Sequence, residues 1–277
     1  MNILQNGLFL HLAIKYKLIF LGREYLLLLF GGYLLCILVG YLLGSINSAV
    51  VVSRILFRDD IRRHGSGNAG LTNMYRVYGK AGALPTLLGD VLKTVLSVLL
   101  GAVFMGFGYF SGFALGGDGL LSVGVYLSAI ACVAGHIWPI YYGFKGGKGV
   151  LCSFAATAML CPIVALILIA VFVVVVAVTK YISLGSVTAA ALFPIFLNPV
   201  FGALVHIVVT SGEETVEGSA AAPIYMLVYS FLITLLVVWC HRANLRRLWN
   251  HEESKFSFHK KSEPISVSAK EAEGENG

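Results

Sequence analysis

Charged residues are scarce in this sequence. Only 12% of its 277 residues are Asp, Glu, Lys or Arg, whereas 58% are hydrophobic, and the mean hydropathy is +0.84. An ordinary soluble domain carries about 25% charged residues. The composition is therefore that of a polytopic membrane protein, and the length suits one bundle rather than several domains.

Cysteine patterns that hold metals or disulfides are also missing. The five cysteines all fall within or at the edges of apolar segments: Cys36, Cys132, Cys152, Cys161 and Cys240. None forms a CxxC pair or a His/Cys ligand spacing, so we expect neither a zinc site nor a disulfide framework. Buried free thiols are the simplest interpretation, and we expect no metal and no cofactor.

The sequence contains no complete nucleotide-binding or serine-hydrolase motif. Residues 65–70 match G-x-G-x-x-G, but membrane helices rather than a βαβ unit flank them. Residues 144–149 (FKGGKG) lack the first glycine of a Walker A motif, because Tyr142 stands there, and no Ser or Thr follows Lys148. No G-x-S-x-G elbow occurs. Dinucleotide binding and ATP hydrolysis are therefore not indicated, and a covalent acyl-enzyme through Ser66 or Cys152 is a disfavoured alternative.

Long apolar segments dominate instead. A helix needs about 20 apolar residues to cross a bilayer. Seven segments qualify or nearly so: 25–53, 84–110, 120–142, 148–161, 163–179, 184–209 and 222–240. The stretch 149–179 is long for one helix and short for two, and Pro162 in its middle makes either a tight turn or a kink.

The loop charges favour seven spans. Lys and Arg occur in the loops after the first, third, fifth and seventh segments, whereas the loops around 111–119 and 211–221 have none. The positive-inside rule then places the polar loops and the C-terminus in the cytoplasm. We predict an all-α bundle of seven transmembrane helices over 25–249. Residues 1–24 are expected to form an interfacial or poorly ordered extension, and 250–277 a polar, disordered cytoplasmic tail.

Three polar stretches interrupt the apolar chain: 60–68, 144–149 and 241–247. Each combines glycine or amide groups with cationic side chains at a predicted membrane surface, a combination suited to binding phosphate. Arg76 could add a bidentate phosphate clamp. The structural alternatives are a glycine-rich turn for the first stretch and positive-inside anchors for Lys145 and Lys148.

Several single residues are open to two interpretations. His241 lies at the end of the last span, where a histidine could take a proton. Ser183 and Ser186 begin another span, and helix capping is their simplest explanation. Asp90 and Lys93 favour an internal ion pair over an acid–base couple. His136 is interpreted as a structural histidine.

Five motifs occur in order: GSIxS at 44–48, DIRxxGSGNxGxTNxxRxxG at 60–79, GHxxP…FKGGKG at 135–149, SLGS at 183–186 and HRxNxxRL at 241–248. Together they resemble the bacterial acyl-phosphate-dependent glycerol-3-phosphate acyltransferases, an integral membrane family. The resemblance runs from about residue 30 to Lys255. Leu71, Thr94 and His251 depart from the usual family residues, but the charged and amide positions are intact.

The resemblance implies the first acylation of phospholipid synthesis. An acyl group passes from acyl-phosphate to the 1-hydroxyl of sn-glycerol 3-phosphate, giving lysophosphatidic acid and inorganic phosphate. It also implies a multi-pass protein of the bacterial cytoplasmic (inner) membrane, with its site on the cytoplasmic face. The partners implied are the two substrates and the bilayer; we expect no nucleic-acid partner and a monomer, with a homodimer as the alternative.

The same resemblance supplies candidate residues. The catalytic candidates are Ser66, Lys148, His241 and Asn244. The substrate-binding candidates are Gly65, Gly67, Asn68, Arg76, Lys145, Gly146, Gly147, Gly149, Ser183 and Ser186. We hypothesise that Arg76 and the 65–70 loop hold one phosphate, and that Lys145, Lys148 and the 146–149 backbone hold the other.

The proton acceptor and the protein class both have alternatives. Either His241 or a substrate phosphate could accept the hydroxyl proton, and Ser66, Asn68 or Asn244 could donate to the developing oxyanion. A transporter of phosphate esters is the main alternative function, and a lipid-binding scaffold is another. A transporter usually shows inverted repeats and charges near the midplane, whereas here the charges cluster on one predicted face.

Overall fold

The computed structural model describes residues 23–106, 119–197 and 224–256, together with residues 8, 11 and 12. Within these residues there is no β-strand, which confirms the all-α prediction for this part of the chain. The α-helices are α1 (Arg23–Ser45), α2 (Ser48–Phe57), α3 (Leu71–Met105), α4 (Gly119–Ile137), α5 (Val150–Leu160), α6 (Pro162–Thr179), α7 (Ile182–Phe196), α8 (Ile224–Cys240) and α9 (Arg242–Trp249). Two 3-10 turns, Ile61–Arg63 and Ile140–Tyr142, lie in the connecting loops.

Four helical stretches are long and apolar enough to cross a membrane: Leu26–Phe57, Leu71–Met105, Ser122–Tyr142 and Pro162–Thr179. Helices α8 and α9 form a fifth candidate if their 57° bend is counted within one span. Helices α5 and α7, with 11 and 15 residues, are apolar but shorter. The helices support a multi-pass membrane protein, and the count of seven spans stays a prediction.

Three predicted boundaries differ from the observed helices. The first predicted span, 25–53, is broken between α1 and α2, because the side chain of Asn47 accepts a hydrogen bond from Val50 N and caps α2. Helix α3 begins at Leu71 rather than near 84, and it is bent at Gly79, where φ is 61°. Pro162 makes a turn rather than a kink, since it occupies the first position of a separate helix, α6.

Helices α1 and α4 approach each other through glycines. A Cβ atom on Gly44 would overlap the carbonyl group of Cys132, and one on Gly135 would overlap the carbonyl oxygen of Tyr41. Small residues let membrane helices pack backbone to backbone. The apolar core continues from α4 to α7 and α8, where the rings of Phe193 and Tyr229 meet edge to face.

A buried ion pair fixes α3 against α1 and α4. Lys93 Nζ lies 2.8 Å from Asp90 Oδ1 and 3.0 Å from His136 Nδ1, and it donates to the carbonyl of Gly44 at 3.1 Å. The predicted internal ion pair is confirmed, and His136 is part of it. Asp90, His136 and Cys152 could reach one metal ion, but the Lys93 ammonium already provides a cation to this cluster.

The segment after α9 belongs to the folded domain as far as residue 256. Phe256 N donates to the carbonyl of Lys180 at 2.8 Å, and its ring lies 5.9 Å from that of Tyr75. The domain therefore extends about seven residues beyond the predicted boundary at 249. The rest of the predicted tail, 257–277, and most of the predicted extension, 1–24, lie outside the described residues.

Candidate functional site

A cavity of about 910 Å³ lies between the ends of α3, α5, α7 and α9. Most of the predicted site residues line it, although they come from sequence motifs far apart in the chain. They are Ser66, Gly67, Asn68, Arg76, Gly146, Lys148, Gly149, Ser183, Ser186, His241 and Asn244. The structure thus brings together the three polar stretches singled out in the sequence.

Three predicted binding residues do not line this cavity. Gly65 forms a turn with φ of +56°, and a Cβ there would collide with the side chain of Asn73. The side chain of Lys145 is exposed, and its carbonyl lies 3.4 Å from a guanidinium nitrogen of Arg62. Gly147 is buried against His136. Lys145 therefore lies outside the cavity that most of the other predicted residues line, and its role in phosphate binding stays a prediction.

Asn73 and Asn47 shape the first polar loop. Asn73 Oδ1 accepts from Ser66 N at 3.0 Å, and its Nδ2 donates to the carbonyl of His64 at 3.0 Å. Asn47 Nδ2 donates to the carbonyl of Ala69 at 3.2 Å. The loop leads into α3 at Gly70, which has no side chain to cap the helix. The first-turn amides of a helix lack intrahelical partners and attract anions.

Arg62 ties the first polar loop to the second. Its Nε and Nη2 donate to the two carboxylate oxygens of Asp60 at 2.9 and 2.7 Å, and its Nη1 donates to the carbonyl of Tyr142 at 2.8 Å. The hydrogen bonds from Arg62 hold the pKa of the Asp60 carboxyl well below its usual range. The motif at 60–79 includes Arg62 and leaves Arg63 open, but Arg62 was not among the predicted site residues.

The glycines of the second loop serve packing. Gly146 N donates to the carbonyl of Ile137 and Gly147 N to that of His136, both at 3.1 Å. A Cβ on either glycine would overlap the end of α4. Because these two amides are already donated within the chain, they are not free to cradle a phosphate. Phosphate binding by the backbone at 146–149 stays a prediction, and at Gly146 and Gly147 it would require these two hydrogen bonds to break.

Lys148 instead meets the third polar stretch. Its Nζ donates to Oδ1 of Asn244, and Asn244 Nδ2 donates to Ser183 Oγ at 2.9 Å and to Glu253 Oε1 at 2.7 Å. Ser183 Oγ in turn donates to Glu253 Oε1 at 2.6 Å. Tyr181, not Ser183, is the cap residue of α7, so the capping interpretation of Ser183 is wrong.

Glu253 lies within the region of family resemblance but was not among the predicted residues, because the quoted motifs end at Leu248 and residues from 250 onward were predicted as a polar tail. Its Oε2 accepts from Arg247 Nε at 2.8 Å. Burial alone would raise the pKa of the Glu253 carboxyl, but hydrogen bonds from Ser183, Asn244 and Arg247 lower it. The next residue, Ser254, accepts a hydrogen bond from Arg76 at 3.2 Å. The 252–256 segment therefore borders the polar end of the cavity.

Burial lowers the pKa of two site residues. It lowers the pKa of His241 to about 4, with a further contribution from the ammonium of Lys148. The His241 Nδ1 lies 2.8 Å from the carbonyl of Val237, so Nδ1 carries the proton and Nε2 has the free lone pair. Burial also lowers the pKa of Lys148 to about 8, which Glu253 opposes and Arg247 and Arg76 reinforce.

The far end of the cavity is apolar. Leu168, Phe172, Phe193, Ile233 and Val237 line it. Cationic and amide groups thus occupy one end, and aliphatic and aromatic side chains occupy the other. Such a cavity suits a molecule with an anionic head and a hydrocarbon chain.

The apolar helices, together with a cavity that is cationic at one end and apolar at the other, indicate a multi-pass membrane enzyme that acts on lipids. The family model "Glycerol-3-phosphate acyltransferase" matches residues 34–251. The chain therefore belongs to the glycerol-3-phosphate acyltransferase family, and it is an integral membrane acyltransferase of phospholipid biosynthesis.

Individual relatives agree with this assignment. The chain is 40% identical over 215 residues to a glycerol-3-phosphate acyltransferase of Clostridioides difficile (strain 630), covering 78% of this chain and 91% of the relative. One from Thermoanaerobacter pseudethanolicus is 35% identical over the same shares of both chains. The family resemblance drawn from the motifs is confirmed.

Solved structures are similar as well. The glycerol 3-phosphate form of PlsY (YgiH), an integral membrane glycerol 3-phosphate acyltransferase, has a TM-score of 0.62 and 28% identity, covering 81% of this chain and 96% of that one. Its lysophosphatidic acid form has a TM-score of 0.60 and 27% identity, covering 81% and 95%. The integral membrane fold is thus shared with these enzymes.

Proposed function

We propose that the protein transfers a fatty acyl group from acyl-phosphate to the 1-hydroxyl of sn-glycerol 3-phosphate. The products are lysophosphatidic acid and inorganic phosphate. The observation that carries this proposal is the cavity itself, in which Lys148, Asn244 and Arg76 lie at one end and an apolar channel at the other. Glycerol 3-phosphate as the acceptor is consistent with the family and with the ligand named for the similar PlsY structure.

Two separate groups of donors would hold the two phosphates. The first comprises Arg76, Ser66 and the uncapped first turn of α3 at Leu71 and Thr72, all of which line the cavity. The second is Lys148 with its partner Asn244. The group at Arg76 is the one that the sequence predicted for one phosphate. For the other phosphate, the side chains of Lys148 and Asn244 replace the predicted glycine backbone at 146–149.

The transfer step needs no cofactor chemistry. The 1-hydroxyl oxygen forms a bond to the acyl carbonyl carbon, and the carbon–oxygen bond to phosphate breaks, so the phosphate leaves with the bonding electron pair. The hydroxyl proton passes to a base. Holding the two bound anions close together and correctly oriented supplies much of the acceleration, because tight orientation can lower the activation barrier by about 7–11 kcal/mol.

A substrate phosphate is the better proton acceptor of the two alternatives. His241 Nε2 has a free lone pair, but a pKa of about 4 makes its protonation unfavourable at neutral pH. A phosphate monoester has a second pKa of about 6, so it holds a proton more readily. His241 would then orient a substrate by a hydrogen bond. A pH–rate profile of His241→Gln tests this. If the rate of the variant depends on pH as that of the wild type does, and only the KM is raised, the orienting role is supported.

The membrane placement is part of the proposal. Lys and Arg cluster in the loops that carry the polar motifs, so we place these loops and the C-terminus in the cytoplasm of a bacterial inner membrane. The acyl chain would extend from the cavity towards the bilayer between α6, α7 and α8, whose residues form the apolar end. We expect a monomer to be active.

The test is an assay of phosphate release by the purified protein in lipid nanodiscs. Palmitoyl-phosphate with glycerol 3-phosphate should give stoichiometric phosphate and lysophosphatidic acid, and omission of glycerol 3-phosphate should stop both. Palmitoyl-CoA and palmitoyl-acyl carrier protein serve as competing donors. Lysophosphatidic acid formed from either of these, but not from palmitoyl-phosphate, would contradict the proposed donor.

A further inference from the structure

One serine in the cavity wall has no role in the mechanism described so far. Ser153 lies in the second turn of α5, and only 5% of its surface is exposed. Its backbone N donates to the carbonyl of Gly149 at 2.8 Å. Its hydroxyl has no hydrogen-bond partner among the residues that the structure describes. A buried hydroxyl without a partner is costly, so its retention here requires an explanation.

The other buried side-chain atom without a hydrogen bond in the described chain is different in kind. Asp90 Oδ1 accepts no hydrogen bond, but it lies 2.8 Å from Lys93 Nζ and is neutralised by that ammonium. The Ser153 hydroxyl makes no hydrogen bond to any of the described residues. Ser153 also lines the cavity. Its hydroxyl oxygen is itself buried in the free protein, but no hydrogen bond from the described residues holds it in place. Rotation about the Cα–Cβ bond can therefore turn the hydroxyl towards a bound molecule.

The position of Ser153 along α5 indicates which part of a substrate it meets. Lys148, just before the helix, belongs to the cationic end of the cavity. Thr157, one turn beyond Ser153, is already paired with the hydroxyl of Tyr229 at 3.4 Å. Leu168 and Phe193 continue the wall as apolar surface. Polarity thus falls along this wall from a cation, through one free neutral donor, to hydrocarbon.

An acyl donor has the same order of groups: an anionic leaving group, then a carbonyl, then an alkyl chain. We propose that the Ser153 hydroxyl donates a hydrogen bond to the acyl carbonyl oxygen and stabilises the negative charge that forms there during transfer. The inference rests on acyl transfer by this site and applies to any acyl donor, so it does not depend on acyl-phosphate being the donor.

The effect should appear in turnover. A donor aimed at developing charge acts more strongly in the transition state than in the ground state, and removing one such donor typically costs on the order of 100-fold. Ser153→Ala should therefore lower kcat about 10- to 100-fold. The KM for glycerol 3-phosphate should change less than threefold, because the acceptor's phosphate binds elsewhere.

Stability separates this role from a structural one. Ser153→Ala removes an unpaired buried hydroxyl, so the midpoint of thermal unfolding without substrate should stay the same or rise. Ser230→Ala is the matched control. Ser230 is a buried helical serine outside the cavity, and its hydroxyl is bonded to the carbonyl of Leu227 at 2.8 Å. It should lower the unfolding midpoint slightly and leave kcat unchanged.

A spectroscopic measurement tests the contact directly. The probe is palmitoyl β-ketophosphonate with a ¹³C carbonyl, a stable analogue of acyl-phosphate. Its bound carbonyl stretch should lie at lower frequency in the wild type than in Ser153→Ala. An identical stretch in both, an unchanged kcat, or a kcat loss accompanied by a lower unfolding midpoint would overturn the role of Ser153. If the probe does not bind, the kinetics with whichever acyl donor is active decide the role of Ser153, and the donor proposal alone is in question.

Discussion

Lys148 Nζ donates a hydrogen bond to Oδ1 of Asn244, a residue 96 positions later in the chain. This contact joins the second polar stretch of the sequence to the third. Asn244 in turn connects to Ser183 on α7 and to Glu253 beyond α9. One amide side chain therefore holds together four separate parts of the polar end of the cavity.

Asn244→Ala should abolish most of the activity. The change leaves the ammonium of Lys148 and the hydroxyl of Ser183 without their shared partner. We expect kcat/KM to fall on the order of 100-fold, comparable to the loss of one preorganised donor. Asn250→Ala, at an exposed position just after α9, is the matched control. Equal kinetics for both variants would show that the Asn244 network does not serve the reaction.

The pH dependence of kcat/KM should have an alkaline limb near pH 8. Burial lowers the pKa of Lys148 to about 8, and the free protein loses this cation as the pH rises through that value. Lys148→Arg should move the limb above pH 10, because a guanidinium stays charged there, although the rate below pH 8 falls. A limb at the same pH in Lys148→Arg would mean that another group titrates.

Glu253→Gln should move the same limb in the opposite direction. The Glu253 carboxylate raises the pKa of Lys148 against the effect of burial, so its neutralisation should shift the alkaline limb to lower pH. Gln keeps an oxygen that can accept from Asn244. Glu252→Gln removes an equal charge from the neighbouring exposed position and should leave the limb in place. A limb that moves equally in both variants would indicate a general charge effect.

Arg62→Ala should destabilise the protein. Its guanidinium connects Asp60 to the carbonyl of Tyr142 and so holds two loops together. Hydrogen bonds to charged groups are worth about 1.5–3 kcal/mol, and partial exposure of Arg62 places the loss at about 1–2 kcal/mol. Thermal unfolding in detergent measures it. The exposed neighbour Arg63→Ala is the control, and an equal loss there would refute the bridging role.

Lys93→Met should be strongly destabilising, because it leaves the Asp90 carboxylate buried without its ammonium. Removing one partner of a buried pair costs about 3–5 kcal/mol. The double variant Asp90→Leu/Lys93→Met should recover a large part of this loss, since no uncompensated charge remains. Unfolding midpoints of the three proteins form the test, and a double variant less stable than Lys93→Met would contradict it.

Much of the fold could be predicted from local composition. The apolar segments predicted approximately where the helices lie. The Lys and Arg residues in the loops predicted that the polar motifs lie on one face, and the Lys148–Asn244 contact requires this of the second and third motifs. The break at Asn47 and the early start of α3 at Leu71 were missed. Both depend on cap geometry and on contacts with distant loops, and hydropathy does not record these.

The candidate site was only partly predictable. Motif position predicted Lys148, His241 and Asn244, and these three residues line one cavity. It could not show that the amides of Gly146 and Gly147 donate within the chain. Glu253 and Ser153 were missed for a related reason. Their importance lies in partners on other helices, or in the lack of a partner, and neither is visible in a single sequence.

The central claim is that sequence-distant polar residues form one site on one side of the membrane. Single cysteines at Lys145 and Arg246, both exposed, can be placed in a protein whose five native cysteines are replaced. A third at Ser111, in a predicted loop without Lys or Arg, tests the side that is predicted to be outside. An impermeant maleimide should label 145 and 246 only from the cytoplasmic side and 111 only from outside. Labelling of 145 and 246 from opposite sides would contradict the account.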